Sequence, residues 1–352
     1  MQFIGSRKKY IYILDMEHKF CIYPLVNYNV TTPFITPCCT SMMDPLVASD
    51  TAVHFSAPIS PVWQLYGWEG WRKMIAMDDY SHCDKCSQKS EWVTEDELRE
   101  QYPEIADDVM AYKAGDWTRL QMPSVLILSF DHVCNLRCTT CRPADKALAI
   151  DDIDVITDRI IEALPQIKRV VIAGDGEVTV SAYYRKILDM IKPPTKVTLM
   201  SNGIRLGMDF WASLPDEVLS CIDRVHISCD GTTKDIYESI RLNGLFDTWV
   251  ENMSILSVMK QQHHWKTKLM YTVSKKNYDD FRHVPAFAKS LGFDEIFVNH
   301  AAEWHRQLSD GSDWKTDQCL ERYEARLVSV VSRQMMKDYV VLAGGSSNLG
   351  SA

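Results

Sequence analysis

The sequence predicts an α/β fold in which six βα units close part of a TIM-type barrel, preceded by a small, separate module. Two observations carry the barrel. Short apolar runs recur at residues 125–130, 169–173, 196–200, 224–228, 269–273 and 295–299. Between them, stretches at 153–164, 182–191, 249–260 and 278–291 space their apolar residues three and four apart, which is the period of an amphipathic helix. Strands alternating with helices build a parallel sheet, because a parallel neighbour needs a long crossover. Polar, glycine-containing turns follow the second, third and fourth runs, at the strand ends where barrels of this kind gather their active sites.

Composition narrows the function classes. A length of 352 residues, 46% of them hydrophobic, is enough for one large or two smaller packed domains. The balance of 38 basic against 47 acidic side chains gives a net charge of −9, with no Lys/Arg run long enough for a nucleic-acid stripe, so a sequence-independent grip on phosphate backbones is not expected. No run approaches the ~18 apolar residues of a membrane span. The opening residues carry acids where a signal peptide has its apolar segment. A soluble, cytoplasmic protein is expected, with no nucleic-acid or membrane partner.

The eleven cysteines therefore need an explanation other than disulfides. Cys134, Cys138 and Cys141 form C-x3-C-x2-C directly after the first apolar run. Buried packing is the plain alternative for clustered cysteines. A zinc site takes four protein ligands, or three and a water, whereas three thiolates on a 4Fe-4S cluster leave one iron open. In the first 90 residues, Cys83-Asp-Lys-Cys86 presents two sulfurs on one turn. Cys21 and one of Cys38 or Cys39 can complete a four-thiolate site, for which zinc and iron-sulfur are both chemically allowed.

The words around these cysteines go further. Cys134-Asn-Leu-Arg-Cys138-Thr-Thr-Cys141 resembles the signature of the radical S-adenosylmethionine (radical SAM) superfamily, including its CNLRC wording. The resemblance implies that the three thiolates bind a 4Fe-4S cluster whose open iron chelates S-adenosylmethionine. Reductive cleavage then gives a 5′-deoxyadenosyl radical. Gly174-Asp175-Gly176-Glu177 resembles the family's G-x-G-E-P element with Val178 in place of proline, implying that Gly174, Gly176 and Glu177 hold the cofactor's amino group. Ser201-Asn202-Gly203 resembles its T-N-G turn and Ser228-Cys229-Asp230-Gly231 its S-x-D-G turn. By that resemblance Ser201, Asn202, Ser228 and Asp230 face the ribose or methionine portions. The stretch from Thr233 to Gly244, with Arg241 near its end, repeats wording common in members that carry extra clusters. Ser274 and Asn277 after the fifth run are either cofactor contacts or caps of the next helix.

Cys21-Ile-Tyr-Pro24, Pro37-Cys38-Cys39, the Trp63, Trp68 and Trp71 segment and Cys83-Asp-Lys-Cys86 follow one another in an order that resembles the SPASM and twitch auxiliary modules, moved here in front of the barrel. This implies a second, auxiliary 4Fe-4S cluster on Cys21, Cys38, Cys83 and Cys86. The expected organisation is then a module over 1–90, a connecting segment over 91–123 and a radical SAM partial barrel over 124–300. A helical region over 301–342, with helical periodicity from Thr316 to Lys337, and a flexible tail over 343–352 complete it. His300, Glu303, Trp304 and His305 are candidates for lining a substrate pocket. Cys229 and Cys319 are weighed as hydrogen donors against packing, and Cys221 as packing. The resemblance implies an oxidoreductase-type enzyme acting on a peptide or protein by crosslinking, epimerisation or oxidation. An external electron donor of the flavodoxin or ferredoxin type would feed it. The alternatives are dehydrogenation of a sugar or nucleotide-like molecule, and a non-catalytic iron-sulfur or zinc protein.

Overall fold

The computed structural model describes residues 19–31, 34–36, 53–54, 66–80, 92–141, 150–172, 176–301 and 319–342. Cys38, Cys39, Cys83, Cys86, Gly174, Glu303, Trp304, His305, Trp63 and the 343–352 tail lie outside them. The described chain opens with α1 (Tyr23–Val26), β1 (Asn27–Thr31), β2 (Phe34–Thr36), β3 (Val53–His54) and α2 (Tyr66–Ala76). The segment expected as a connection holds α3 (Glu95–Gln101) and α4 (Pro103–Lys113). Thr94 and Glu97 close a capping box on α3, and Pro103, tolerated in a first turn, starts α4.

The repeating part runs β4 (Val125–Ser129), β5 (Arg137–Cys138), α5 (Ile150–Ala163), β6 (Arg169–Ile172), α6 (Ala182–Met190), β7 (Lys196–Ser201), α7 (Met208–Ala212), α8 (Asp216–Cys221) and β8 (Ile222–Ser228). It continues through α9 (Lys234–Ile240), β9 (Arg241–Leu242), α10 (Phe246–His263), β10 (Lys266–Val273), α11 (Val284–Ser290), β11 (Glu295–His300) and α12 (Arg322–Leu342). The helix expected over 278–291 is shorter than its periodicity. Two 3₁₀ turns at Lys275–Asn277 and Phe281–His283 precede α11, whose first turn contains Pro285; a proline inside a longer helix would lose a hydrogen bond and clash with the preceding turn.

All six expected strands are present as β4, β6, β7, β8, β10 and β11, each parallel to its neighbour. The sheet nonetheless extends further than the sequence predicts. Its order is β11-β10-β8-β7-β6-β4-β1-β2-β3, nine strands among the described residues in one open sheet. β1 pairs in parallel with β4, Asn27 opposite Val125 to Thr31 opposite Ser129, and β2 and β3 follow antiparallel. Asn27-Tyr-Asn-Val-Thr31 carries no apolar run and so gives no strand signal; its pairing is supplied by the exposed edge that β4 would otherwise present.

Two apolar clusters hold this together. Leu126 and Leu128 of β4 join the main core with residues such as Val170, Leu199, Val225, Leu269 and the buried Trp249. On the other face Val125 joins a second cluster with Phe20, Leu25, Ile105, Val109 and Tyr112. β4 is thus buried on both faces, which is why it reads as an unbroken apolar run.

At the foot of the strands, Arg169 opens β6 with 2% of its side chain exposed. It donates to Glu104 of α4 at 2.7 Å, to Thr198 at 3.0 Å and through two nitrogens to Asp223 at 2.8 and 2.7 Å. The Arg169 and Arg224 guanidinium groups also lie over the Tyr102 ring, at 5.5 and 5.3 Å. The α3–α4 pair is pinned across the strand starts by this charged hub.

One level higher, His226 stands between Met200 and Lys268 in the ladder. Burial, reinforced by the Lys268, Arg224 and Arg169 cations, holds its pKa well below the usual 6.5. An unfolded chain protonates this imidazole below pH 6.5 and the folded one does not, so stability present above that pH is lost as pH falls. Urea unfolding between pH 7.5 and 5.5 should show a slope approaching 1.4 kcal/mol per pH unit, flattened in His226→Gln; an unchanged acid limb in the variant refutes the assignment.

Candidate active site

The cysteine loop begins where β4 ends, and buried polar contacts fix its stem. The Phe130 and Asp131 amides both donate to the Tyr184 hydroxyl at 3.0 Å. Asp131, 2% exposed, accepts from the Val133 amide at 3.1 Å and from the Ser181 hydroxyl in a very short bond. Ser181 caps α6, so the first turn of that helix anchors the loop. Asp131, Ser181 and Tyr184 were not singled out by the sequence. Only Ser181, standing just before an amphipathic stretch, carries a local signal of its role.

Of the loop's three thiols, Cys134 and Cys141 are exposed and Cys138 is half-buried; none is in a disulfide. The Leu136 amide points at the Cys134 sulfur at 3.4 Å, the Asn202 side-chain amide lies 3.8 Å from the same atom, and Arg241 lies 3.9 Å from the Cys138 sulfur. Burial raises the Cys138 pKa to about 11 against the lowering effect of Arg241, so the metal-free loop holds Cys138 as a thiol at neutral pH. N–H groups and a cation directed at sulfur suit thiolates bound to iron, whose clusters are tuned by such contacts. Among the described residues no three His, Cys, Asp or Glu side chains meet on one ion. A 4Fe-4S cluster makes no such demand, since each thiolate binds a different iron.

Gly176 and Glu177, after β6, pack directly on this loop. Gly176 has φ of +90° and a Cβ there would stand 2.0 Å from the Asp131 carbonyl oxygen, so only glycine fits. Gly176→Ala should cost about 1–3 kcal/mol for the backbone conformation alone, read as a lowered urea midpoint; an unchanged midpoint would show that the loop relaxes freely. The Glu177 amide donates to the Val133 carbonyl at 2.9 Å. Its carboxylate, 2% exposed, accepts from the Thr179 amide and hydroxyl at 3.2 and 2.8 Å, the Ser201 hydroxyl at 2.7 Å and the Asn202 amide at 2.7 Å. Burial raises its pKa in spite of these donors.

Ser201 and Asn202 therefore serve Glu177 at the end of β7, and the Asn202 side chain also donates to Asn135 on the cysteine loop at 2.9 Å. Gly203, at φ +83°, lies against Trp249 and Met253 of α10. At the end of β8, Ser228 is partly buried and Asp230 adopts φ of +66°. Asp230 accepts from Arg241 at 2.7 Å and from the Thr272 amide at 2.8 Å. Cys229 is fully buried, directed at the Gly231 carbonyl, with its pKa pushed up to about 12 by burial. Ser274 is fully buried as well and closes a capping box with Asn277, the second of the two roles weighed for it. Asn277 in turn donates to the Asp230 carbonyl at 2.9 Å.

The structure thus gathers the cysteine loop, Gly176, Glu177, Ser201, Asn202, Asp230 and Arg241 into one connected group at the strand ends. Cys21 is buried between Phe20 and Ile22 of the second apolar cluster, and Cys221 and Cys319 are buried. His300 closes β11 and is partly buried. No helix among the described residues is long and apolar enough to cross a membrane.

Residues 128–288 match the family model of the Radical SAM superfamily. The mycofactocin maturase MftC of Mycolicibacterium smegmatis is 24% identical over 178 residues, 49% of this chain and 43% of that protein. The chain therefore spans less than half the length of this relative. Among solved structures, Streptococcus suis SuiB has a TM-score of 0.46 at 15% identity, covering 82% of this chain and 62% of SuiB. The anSMEcpe structure with bound AdoMet has a TM-score of 0.38 at 14% identity over 51% of each chain.

Proposed function

We propose that the chain, carrying a radical SAM domain, is a radical SAM enzyme whose Cys134, Cys138 and Cys141 hold a 4Fe-4S cluster. The observation that carries this reading is the loop itself: three cysteines outside any disulfide after a parallel strand, with the Leu136 amide and the Asn202 side chain directed at the Cys134 sulfur and Arg241 at the Cys138 sulfur. When bound, such a cluster supplies the electron that cleaves S-adenosylmethionine to methionine and a 5′-deoxyadenosyl radical able to take a hydrogen atom from a substrate. The chain's own residues position the parts. Asp131 and Tyr184 hold the loop's stem, Gly176 lets the 176–177 strap lie on it, and Glu177 is oriented by Ser201, Asn202 and Thr179. The proposed cofactor-binding residues are Gly174, Gly176, Glu177, Ser201, Asn202, Ser228, Asp230 and Ser274, on the wording of the sequence. The protein's part is to position substrate and exclude water, since the radical chemistry belongs to the cofactor.

The proposed substrate is a peptide or protein, a class supported by the match to a maturase, and the proposed electron source is a flavodoxin- or ferredoxin-type donor. A second 4Fe-4S cluster on Cys21, Cys38, Cys83 and Cys86 completes the proposal; its support is the C-x2-C spacing and the surrounding words. Anaerobic reconstitution, iron counting and chromatography for 5′-deoxyadenosine test the enzyme and the two clusters. About eight irons per chain with 5′-deoxyadenosine formed under strong reduction is the expected result. About four irons with one zinc removes the auxiliary cluster, and bound iron without any 5′-deoxyadenosine removes the enzyme.

A further inference from the structure

We propose that Arg241 sets the redox potential of the cluster on the Cys134/Cys138/Cys141 loop, by holding a buried positive charge against Cys138. The inference rests on the cluster assignment above and adds to it a residue whose function is to tune rather than to ligate.

The backbone puts Arg241 there. β9 pairs antiparallel with β5, Cys138 directly opposite Arg241, and the Thr139 amide donates to the Ile240 carbonyl at 2.8 Å. A two-stranded ladder thus joins the cysteine loop to the segment that leaves α9. The guanidinium, with 9% of its side chain exposed, has each nitrogen assigned: Nε donates to the Cys229 carbonyl at 2.7 Å, Nη2 to Asp230 at 2.7 Å, and Nη1 faces the Cys138 sulfur at 3.9 Å. A planar fork held at two of its three corners cannot swing away from the third. Asp230 is itself fixed, by the Thr272 amide and by a left-handed backbone.

The order in space is carboxylate, guanidinium, sulfur. The cation is therefore the charge in contact with the Cys138 sulfur, while the carboxylate that balances it is held on another nitrogen of the guanidinium. Reduction adds one negative charge to the cluster. A fixed positive charge beside it favours the reduced form and raises the potential, and net charge and contacts to sulfur are among the protein's means of setting it. Burial keeps salt and water from screening the effect. Asp230 opposes it from farther away.

This arrangement predicts two substitutions with opposite signs. The reconstituted chain, without S-adenosylmethionine, is titrated with dithionite and the reduced cluster is followed by electron paramagnetic resonance. In Arg241→Gln the ratio of reduced to oxidised cluster at a given applied potential should fall about tenfold, a midpoint lower by ~59 mV for one electron. In Asp230→Asn, which leaves the cation unbalanced, the ratio should rise. Arg241→Lys keeps the charge and should stay within about threefold of the wild type, ~30 mV by the same conversion. A merely structural Arg241 would lower iron content or thermal stability in all three variants without opposite shifts. The inference is overturned if Arg241→Gln and Asp230→Asn move the midpoint the same way, or if both remain within that threefold. Should Arg241→Gln fail to retain iron, a midpoint in Asp230→Asn that is not raised overturns it equally. A wild-type chain that takes up no iron defeats the cluster assignment and this inference together, whereas a loaded wild type with unmoved variants defeats this inference alone.

Discussion

Cys134→Ala, Cys138→Ala and Cys141→Ala should each abolish retention of the loop's iron and all formation of 5′-deoxyadenosine. Loss of an outer partner alone costs about 10–100-fold in metal affinity, and loss of a thiolate falls at or beyond the top of that range. Folding should survive, because Cys134 and Cys141 are exposed and Cys138 is only half-buried, so little packed area is lost. Iron per chain, product chromatography and circular dichroism separate the two effects. A single variant that keeps both full iron and full cleavage removes that cysteine from the ligand set. The Cys138 thiol, held up at about pKa 11, must give up its proton to bind iron, so loading should weaken as pH is lowered. Cys83→Ala with Cys86→Ala should leave 5′-deoxyadenosine formation at least partly intact, since in the proposed assignment those thiols serve the other cluster.

Arg169→Ala should lower unfolding stability by about 3–5 kcal/mol, the range for removing one partner from a buried charge network. The side chain is 2% exposed and bridges Glu104 of α4 and Asp223 of β8. Burial by itself would lower its pKa, yet Asp223 and Glu104 together hold it above the ordinary value. Its removal leaves two carboxylates facing each other without a cation. Urea unfolding followed by tryptophan fluorescence measures the loss, and a change under ~1 kcal/mol would show that the hub is not what pins α3 and α4 to the strand starts. The cysteine loop lies at the opposite ends of the strands, so iron bound per folded chain should stay the same.

The two sets of substitutions fall at the two ends of one sheet, and the sequence is informative at them to very different degrees. The apolar runs at 125–130, 169–173, 196–200, 224–228, 269–273 and 295–299 are legible because a buried parallel strand needs an apolar residue at nearly every position. Their helices are legible for the same local reason. Where the chain departs from local periodicity the reading departs from the structure: Pro285 cuts α11 short, and β1, with two asparagines and a threonine in five residues, becomes a strand through its neighbour.

The site divides in the same way. The C-x3-C-x2-C spacing of Cys134, Cys138 and Cys141 is legible in the sequence because it lies within one short loop and needs no distant part of the chain. The glycine at 176 is legible only as part of a word, while the tertiary structure supplies its reason, a carbonyl of Asp131 where a Cβ would be. Ser201 and Asn202 were expected at the cofactor and are found bonded to Glu177, an arrangement set by two different strand ends. The sequence by itself determined the six parallel strands and the position of the cysteine loop after the first of them. Only the tertiary structure decided that β1 extends the sheet, that Asp131 leans on Ser181, that Arg169 pins α4, and that Arg241 faces Cys138. Each of those contacts joins residues tens of positions apart, and a hydrogen bond or ion pair depends on distance in space, which local spacing does not encode.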